Sequence, residues 1–490
     1  MFSDIETIRF DRSKNIDKKT KSQFSQYFTP GFIARYMAGL FDYGDEESYT
    51  ILDPGAGTGI LSCAFLETIY LNKKNSKHVE LIAYEIDKNL NHDLNKAFSI
   101  IQNKFSYKYE IINIDFIEKA VSQIQLGIRP FTHIILNPPY KKIDSHSRTR
   151  LLLRLVGIET VNMYSAFVGL SLALLKPGGQ LIAIVPRSFC NGPYYRPFRD
   201  YILDNSAIEE IFIFKSRTKA FRDDNVLQEN VIIKLIRDRK QGDVKVSTSS
   251  DDSLLNIESN IYKSDRIIIP DSKDRFINIP LTKELNPIEK SSTFSYSLSE
   301  IGLSISTGPI VDFRMKNFLS NEPEKNSVPL IYASHFTKSD FQWPKLHNKK
   351  PNSILHNHET MKFLFPVGFY CLVRRFSSKE EPRRVIAYVL NPEKLNDYEY
   401  VGFENHLNVF HFRKKGLSEN LAFGLFTYLN STAVDSLFRT FNGHTQVNAT
   451  DLRSIKYPSR ECLEEIGAWA KKNNNLTQQN IDTKINSLIK

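Results

Sequence analysis

Seven short apolar runs, rich in β-branched residues, recur between residues 50 and 237, and longer stretches with helical periodicity separate them. The runs are YTILD, VELIAYEI, YEIINID, FTHIILN, QLIAIVP, AIEEIFIF and NVIIKLI. Strands that alternate with helices in this way form a mostly parallel sheet that is covered by helices on both faces. The sequence therefore predicts an α/β domain built on a seven-stranded sheet.

The chain is long enough for more than one domain. Its 490 residues exceed the length at which a single hydrophobic core usually stops growing. The α/β alternation ends after IRDRKQGDVKVSTSSDDS, and this polar stretch indicates a border between residues 240 and 300. We expect a first domain over residues 1–240 and an α+β domain with a helical C-terminal tail over residues 241–490.

Composition and patterning exclude several classes of protein. We find neither the apolar core of a signal peptide nor a segment long enough to span a bilayer, so the sequence predicts a cytoplasmic protein without a membrane partner. The four cysteines form no CxxC pair, and HNHE at residues 356–359 lacks the spacing of metal ligands, so we expect no metal. A net charge of +10 is compatible with a polyanionic partner but does not require one.

A glycine-rich turn follows the first apolar run. Asp53 precedes Gly55, Gly57 and Gly59, and the helical pattern ILSCAFLETIYL begins immediately afterwards. Glycines let a backbone approach a ligand closely, and the N-terminus of a helix offers unpaired N–H groups. Alone, the same pattern fits an ordinary tight turn equally well.

The next two strands also end in acidic residues. Glu85 follows the second run, where a carboxylate can accept hydrogen bonds from both hydroxyls of a ribose. Asp115 and Phe116 follow the third run and offer an acceptor for an exocyclic amine and a ring for stacking. Three carboxylates at successive strand ends favour a nucleotide site over a mere turn.

The fourth run ends in Asn137-Pro138-Pro139-Tyr140. Proline restricts its own φ and the conformation of the preceding residue, so the Asn137 side-chain oxygen and the Pro138 carbonyl become two acceptors in a stiff loop. Two acceptors that hold both N–H bonds of an amino group on a planar ring favour the form in which its lone pair can attack. The position at a strand end argues against a simple turn, and Tyr140 adds a flat face.

In this order, the motifs resemble those of gamma-group DNA adenine-N6 methyltransferases of type II restriction–modification systems, the Eco57I and TaqI type. QYFTPGFIARYM at residues 26–37 stands before the glycine turn, as in that family, and the similarity extends over residues 22–237. The resemblance implies a Rossmann-like catalytic domain that uses S-adenosyl-L-methionine. It also implies that residues 241–490 form the target-recognition domain.

The resemblance assigns roles residue by residue. Thr29 and Pro30 could equally be the N-cap and first residue of a helix. In the family, the cofactor is bound at the positions of Phe28, Thr29, Pro30, Asp53, Gly55, Gly57, Glu85, Asp115 and Phe116, and the target adenine at those of Asn137, Pro138, Pro139 and Tyr140.

The resemblance also implies a substrate and partners. Adenine N6 lies inside the base stack of double-stranded DNA, so the enzyme flips the base out and clamps it. Tyr140 is one stacking face, and Phe221 is the best candidate for the second, because Phe212 and Phe214 have the pattern of a buried strand. We expect a monomer that protects its DNA site from a separate cognate restriction endonuclease.

Two stretches of the second half carry side chains that contact DNA in other proteins. In CLVRRFSSKEEPRRVIAY a group of cations suits phosphate contacts, although Glu380 and Glu381 could neutralise it on a solvated hairpin. In FRTFNGHTQVNATDLRSIKYP polar side chains suit contacts with base edges, although an Asn-Gly turn is the simpler alternative. The residues expected to contact DNA are Arg374, Arg375, Lys379, Arg383, Arg384, His444, Gln446 and Asn448.

Other acceptors of the methyl group remain open at this point. The NPPY motif also occurs in enzymes that methylate RNA bases and in enzymes that methylate a glutamine amide of a protein, but these usually lack a C-terminal half of this size. Methylation of cytosine C5 needs a cysteine after proline, which this sequence lacks. Cytosine N4 enzymes usually begin the loop with Ser or Asp, so Asn137 favours adenine.

Overall fold

The computed structural model describes residues 2–15, 28–44, 48–72, 78–214, 229–249, 254, 256–270, 274–337, 341–345, 350–378, 380–473 and 476–489. The chain divides into two compact units, Met1–Lys283 and Glu284–Lys490. The first unit therefore extends past residue 240, the border that we expected, to a point within the 240–300 interval.

A mixed sheet forms the centre of the first unit. Its strands within the described residues are β1 (Ser48–Asp53), β2 (His78–Tyr84), β3 (Lys108–Ile112), β4 (Phe131–Leu136), β5 (Leu175–Pro186), β6 (Ser206–Phe214), β7 (Asn230–Arg237), β8 (Val244–Ser249) and β9 (Ile257–Tyr262). They lie in the order β3-β2-β1-β4-β5-β7-β6-β8-β9. Strands β1 to β5 are parallel, and β7 runs antiparallel between β5 and β6.

Each of the seven predicted runs contains a strand, but β8 and β9 extend the sheet to nine strands among the described residues. Strand β8 was not predicted because VKVSTS is polar. Its serine and threonine side chains are nevertheless buried, and Ser247 Oγ donates to Glu210 Oε1 of β6 at 2.6 Å and lies 2.9 Å from Ser259 Oγ of β9. Polar composition alone thus hides a buried strand whose polar side chain bonds to the neighbouring strands.

Helices cover both faces of this sheet. Neighbouring residues of a strand point to opposite faces, and accordingly Ile51 belongs to one buried cluster and Leu52 to the other. The described helices on the Ile51 side are α1 (Phe2–Asn15), α2 (Gly31–Gly39), α3 (Ile60–Asn72) and α4 (Asn91–Gln102). Those on the Leu52 side are α5 (Phe116–Gln125), α6 (Arg148–Leu155), α7 (Met163–Leu174) and α8 (Arg196–Asn205). A short helix, α9 (Ser264–Ile267), follows the last strand.

The order of the strands determines where a ligand can bind. The chain moves from β1 outward to β2 and β3, then returns to place β4 on the other side of β1. The helices that follow β1 and β4 therefore leave in opposite directions, which opens a crevice at the carboxyl ends of these two strands. Asp53 ends β1 and Asn137 follows β4, so both lie at this crevice.

The second unit contains two smaller sheets. In its described part the orders are β10-β18-β15-β16 and β11-β13-β12-β17-β14. The strands are β10 (Ser304–Thr307), β11 (Leu319–Ser320), β12 (Ser327–Ile331), β13 (Ser353–Leu355), β14 (Leu364–Pro366), β15 (Tyr370–Arg374), β16 (Ala387–Leu390), β17 (Tyr400–Phe403) and β18 (Leu407–His411). The helices are α10 (Pro287–Lys290), α11 (Glu419–Leu429), α12 (Thr432–Phe441), α13 (Ala449–Ser454), α14 (Arg460–Lys472) and α15 (Gln478–Asn486).

Two glycines let α11 and α14 approach closely. A Cβ added at Gly424 would lie 1.9 Å from the Leu463 carbonyl oxygen, and one added at Gly467 would lie 1.7 Å from the Asn420 carbonyl oxygen. Both obstacles are backbone atoms, so no side chain can turn aside to relieve the clash. The contact between these helices therefore depends on the absence of a Cβ.

We expect Gly467→Ala to destabilise the second unit by about 1–3 kcal/mol or more, because the helices must separate to admit the methyl group. Thermal or urea unfolding measures the effect. Gly242→Ala is the matched control, since no described atom lies within 4 Å of a Cβ added at this exposed position. Equal stability of the two variants would contradict the close helix contact.

Candidate functional site

The glycine turn after β1 forms one wall of the crevice. The Ala56 N–H donates to the Tyr84 carbonyl at 2.9 Å, which ties the turn to the end of β2. Gly57 has a φ of 56°, in the left-handed region that favours glycine. The ring of Phe28 covers this residue, and its nearest atoms would lie 3.4 Å from a Cβ added at Gly57.

The carboxylate of Asp53 is completely buried at the end of β1. Its Oδ2 accepts a hydrogen bond from Ser62 Oγ at 2.7 Å, whereas Oδ1 has no partner of normal geometry among the described residues. Burial raises the pKa of Asp53 to about 7, although Ser62 and the Gly55 N–H act to lower it. A buried carboxylate with an unpaired oxygen is suited to a cation or an N–H donor.

Glu85 lies just beyond the end of β2 and is held by the backbone. Its Oε2 accepts from the Gly57 N–H at 2.9 Å, and its Oε1 accepts from the Asp87 N–H at 2.8 Å. Burial raises the pKa of this carboxyl group, while the two backbone N–H groups oppose the shift. Each carboxylate oxygen retains capacity for another hydrogen bond, so the rigid side chain can accept two donors from a ligand.

The third acidic residue has two roles. Asp115 is the N-cap of α5, and its Oδ1 accepts from the Ile117 N–H at 2.8 Å. Phe116 is buried beside it, with ring centroids 5.3 Å from Tyr84 and 5.1 Å from Phe167. The carboxylate therefore stabilises a helix as well as bordering the crevice, and the three rings form an apolar wall.

Both the nitrogen and the oxygen of the Asn137 side-chain amide form hydrogen bonds. Its Nδ2 donates to Thr29 Oγ1 at 3.0 Å, and its Oδ1 accepts from the Tyr140 hydroxyl at 3.2 Å. That hydroxyl also lies 3.3 Å from the Ile184 carbonyl oxygen, and the Tyr140 ring meets Tyr164 edge-on with centroids 6.2 Å apart. The amide thus connects the segment before the glycine turn with the NPPY loop.

Thr29 does not cap the following helix. The N-cap of α2 is Pro30, which makes no side-chain cap bond, and the helix begins at Gly31. Pro30 has an extended conformation, with φ −60° and ψ 145°, so the helix starts one residue later than the alternative interpretation expected. The Thr29 hydroxyl instead accepts the hydrogen bond from Asn137, a contact that the sequence analysis missed.

These elements surround a cavity of about 390 Å³. Thr29 and Tyr140 form hydrogen bonds with Asn137, which lines the cavity, and Asp53 is buried at the end of β1. The predicted site residues that line the cavity are Phe28, Gly55, Gly57, Glu85, Asp115, Phe116, Asn137, Pro138 and Pro139.

Sequence reasoning missed other residues of the wall. Ile86 and Ile114 line the cavity although they are 52% and 47% exposed. Ile86 follows Glu85, and Ile114 precedes Asp115. This position beside a predicted acidic residue was the signal in the sequence that could have identified them. The remaining lining residues are Pro54, Tyr84, Lys141, Met163 and Phe167.

Phe221, the predicted second stacking face, lies outside the described residues. Phe212 and Phe214 are buried in β6, with ring centroids 4.9 Å apart, so they are core residues as the sequence pattern indicated.

The arginine cluster of the second unit lies mainly in the connection from β15 to β16. Arg374 at the end of β15 forms an ion pair with Glu381. Arg375 donates to the Asn405 carbonyl at 3.1 Å, and Arg383 donates to the Ser431 carbonyl at 2.8 Å. Protein groups thus already bind these side chains, and Lys379 lies outside the described residues.

Arg384 does not fit the expected phosphate contact, because it is 1% exposed. Its Nε donates to Ser377 Oγ at 3.0 Å, and its Nη2 donates to Asn442 Oδ1 at 2.7 Å and to the His444 carbonyl. A buried guanidinium needs such partners to offset its loss of hydration. Arg384 therefore supports the loop that follows α12.

Some polar residues of that loop form hydrogen bonds that stabilise the loop and the helix after it. Asn448 is the N-cap of α13 and forms a capping box with Asp451, a role that accounts for its polar side chain without DNA. Gln446 Oε1 accepts from Arg375 at 3.4 Å, and the Gln446 carbonyl accepts from Asn442 at 3.0 Å. The half-exposed side chains of His444 and Gln446 remain the predicted base contacts.

The described residues contain no cluster of three or more His, Cys, Asp and Glu side chains that could hold a metal ion. In the HNHE stretch, His356 packs against Tyr400 with ring centroids 5.1 Å apart. In the same described part of the chain, no helix is long and apolar enough to cross a membrane.

Two solved structures have a similar fold. The DrdV–DNA complex matches with a TM-score of 0.54 and 14% identity, over 96% of this chain and 59% of that chain. The type IIL restriction–modification enzyme MmeI, also in complex with DNA, matches with a TM-score of 0.51 and 11% identity, over 100% of this chain and 73% of that chain.

Relatives with higher identity define the family. A family model described as the Eco57I restriction-modification methylase matches residues 58–221. The type II methyltransferase M.BsuBI of Bacillus subtilis is 47% identical over 96% of this chain and 95% of its own length. M.PstI of Providencia stuartii is 40% identical over 94% of this chain and 92% of its own length. The chain therefore belongs to the type II restriction–modification methyltransferases.

Proposed function

We propose that this methyltransferase transfers a methyl group from S-adenosyl-L-methionine to N6 of an adenine flipped out of a specific double-stranded DNA sequence. The observation that carries the proposal is the cavity at the carboxyl ends of β1 and β4. Its wall includes Glu85 and Asp115 from neighbouring strand ends together with the Asn137-Pro138-Pro139 loop. One site can therefore hold a nucleoside-like donor beside an amino acceptor.

The residues present fit this cofactor. The unpaired Oδ1 of buried Asp53 suits the ammonium group of the methionine part. Glu85 presents two rigid acceptors to a ribose, and Asp115 with the apolar wall suits an adenine. A cavity of about 390 Å³ falls within the roughly 300–1,000 Å³ typical of small-molecule sites.

When bound, this cofactor supplies a methyl group on a sulfonium that leaves as a neutral thioether. The chain's own residues then orient the acceptor, and orientation alone can account for much of a rate enhancement. The Asn137 side-chain oxygen and the Pro138 carbonyl accept hydrogen bonds from both N–H groups of the target amine and direct its lone pair toward the methyl group. The N6–methyl bond forms as the sulfur–methyl bond breaks, and N6 then releases one proton to solvent. Tyr140 stacks on the base, and Phe221 is the proposed second face.

DNA is the proposed substrate because the relatives are type II methyltransferases and because the DrdV and MmeI structures contain DNA. The second unit, with His444 and Gln446 on its loop after α12, is proposed to contact the recognised bases. Methylation would protect this site from a separate cognate restriction endonuclease. We propose that the enzyme acts as a monomer in the cytoplasm.

We expect Asn137→Ala to lower the methylation rate by more than about a hundredfold and to leave cofactor binding nearly unchanged, because one acceptor for the target amine is lost. Single-molecule sequencing of plasmid DNA from methylation-free cells tests this. Wild type should produce N6-methyladenine at one short motif, and the exposed Asn103→Ala variant serves as the matched control.

Unmodified DNA from cells with soluble, cofactor-binding wild type would contradict DNA as the substrate and direct attention to RNA or protein. Equal loss of cofactor binding and methylation in Asn137→Ala would instead contradict the role assigned to the NPPY loop.

Cofactor affinity should fall as the pH falls below about 7. Burial raises the pKa of Asp53 to about 7 in the protein without ligand, and only the ionised form attracts an ammonium group. Calorimetry should show up to about a tenfold loss of affinity per pH unit between pH 7 and pH 5.5. Asp53→Asn should bind more weakly and lose this dependence.

Methylthioadenosine, which lacks the methionine amino group, is the matched ligand for that experiment. Its affinity should not follow the ionisation of Asp53. The same pH dependence for both ligands would show that Asp53 does not bind the amino group.

Thr29→Val should lower the single-turnover methylation rate by about ten- to a hundredfold, because the Asn137 amide loses a hydrogen-bond acceptor in a partly buried site. Valine retains the shape of threonine, so packing changes little. Thr29→Ser keeps the hydroxyl and should restore most of the rate. If the serine variant is as impaired as the valine variant, the methyl group of Thr29 matters rather than its hydroxyl.

A further inference from the structure

A tight turn after β18 carries consecutive cations. The Phe412 N–H donates to the Lys415 carbonyl at 3.0 Å, and the Lys415 N–H donates to the Phe412 carbonyl at 2.7 Å. Between them, Arg413 has a φ of 47° and Lys414 a φ of 63°. Paired hydrogen bonds around two residues with positive φ are the pattern of a type I′ hairpin turn.

The residue types at this turn are unusual. Type I′ turns favour Asn-Gly, because at positive φ the Cβ atom of most residues lies too close to the following carbonyl oxygen. Here Arg413 and Lys414 occupy both strained positions. Strained backbone is often found at functional sites, and these side chains supply positive charge that glycine would not.

The side chains form a basic surface, which we define as Lys362, Arg413, Lys414 and Lys415. All four are exposed, and Lys414 Nζ lies 3.4 Å from the Lys362 carbonyl oxygen. None of them forms an ion pair with another residue of the described part. Arg374 at the end of β15 differs, because it forms an ion pair with Glu381.

The base of the turn is held in place. Buried His411 accepts from the Lys414 N–H through Nδ1 at 3.1 Å, and its Nε2 lies 3.1 Å from Ser306 Oγ on β10. The backbones of Gly416 and Gly368 also approach closely, since a Cβ added at Gly416 would lie 3.1 Å from the Gly368 Cα. These contacts therefore fix the backbone of the turn that carries the cations.

We propose that this basic surface contacts the backbone phosphates of double-stranded DNA. The inference rests on the proposed function, in which DNA is the substrate. Duplex DNA carries a negative charge about every 1.7 Å along its axis, so three neighbouring cations on one turn can contact adjacent phosphates together. Such contacts position an enzyme on DNA without identifying the bases.

The first test compares two triple variants with equal changes in charge. One is Arg413→Gln/Lys414→Gln/Lys415→Gln. The control is Lys104→Gln/Lys176→Gln/Lys240→Gln, at exposed positions of the first unit. Fluorescence anisotropy with a labelled duplex of arbitrary sequence measures the affinity between about 50 and 200 mM salt.

The turn variant should lose about ten- to a hundredfold in affinity at the lowest salt, and the slope of log affinity against log salt should shrink by about 2 to 3. The control should keep the wild-type slope. Wild-type slopes in both variants would overturn the proposal while leaving the proposed function intact. Failure of wild type to bind any duplex would instead contradict DNA as the substrate.

A second variant separates binding from folding. Arg413→Asn/Lys414→Gly introduces the residues that a type I′ turn favours, so its melting temperature should rise. Its affinity for the duplex should fall at the same time, because two phosphate contacts are lost. A higher melting temperature with unchanged DNA binding would show that the turn has no part in binding DNA.

Discussion

Burial of the Asp53 carboxylate is the physical constraint on which the candidate site depends. It lies at the end of β1, where the direction of the connections reverses, and Ser62 bonds one oxygen. Burial raises its pKa from 3.8 to about 7, so the folded chain binds more protons than the unfolded chain between about pH 4 and 7. Stability therefore falls as the pH rises through this window. Under the proposed function, the ammonium group of the cofactor offsets that loss.

Asn137 connects the two loops of the site. Asn137 bonds to Thr29 on one side and accepts from the Tyr140 hydroxyl on the other. Under the proposed function, a target amine must replace or share the hydrogen bond that Tyr140 makes to the Asn137 oxygen, and the Tyr140 ring stacks on the base.

The second unit uses its cations in two ways. Arg384 is buried and holds the Asn442 and His444 ends of a polar loop, whereas Arg413 and Lys414 extend from a strained turn. Both groups are cationic, but their surroundings differ. Because a guanidinium can donate to carbonyl oxygens as well as to phosphate oxygens, residue type and spacing did not distinguish Arg384 from a DNA contact.

The sequence by itself determined the α/β class, all seven runs that became β1 to β7, and the residues that meet at the strand ends. These follow from local periodicity and from the rule that parallel strands end at one edge of a sheet. It did not indicate β8, whose Ser247 hydroxyl bonds to Glu210 of β6 in the interior, or the hydrogen bond from Asn137 to Thr29, across a sequence separation of 108 residues. Only the tertiary structure decided which polar groups pair internally and which remain on the surface, because that depends on partners that are distant in sequence.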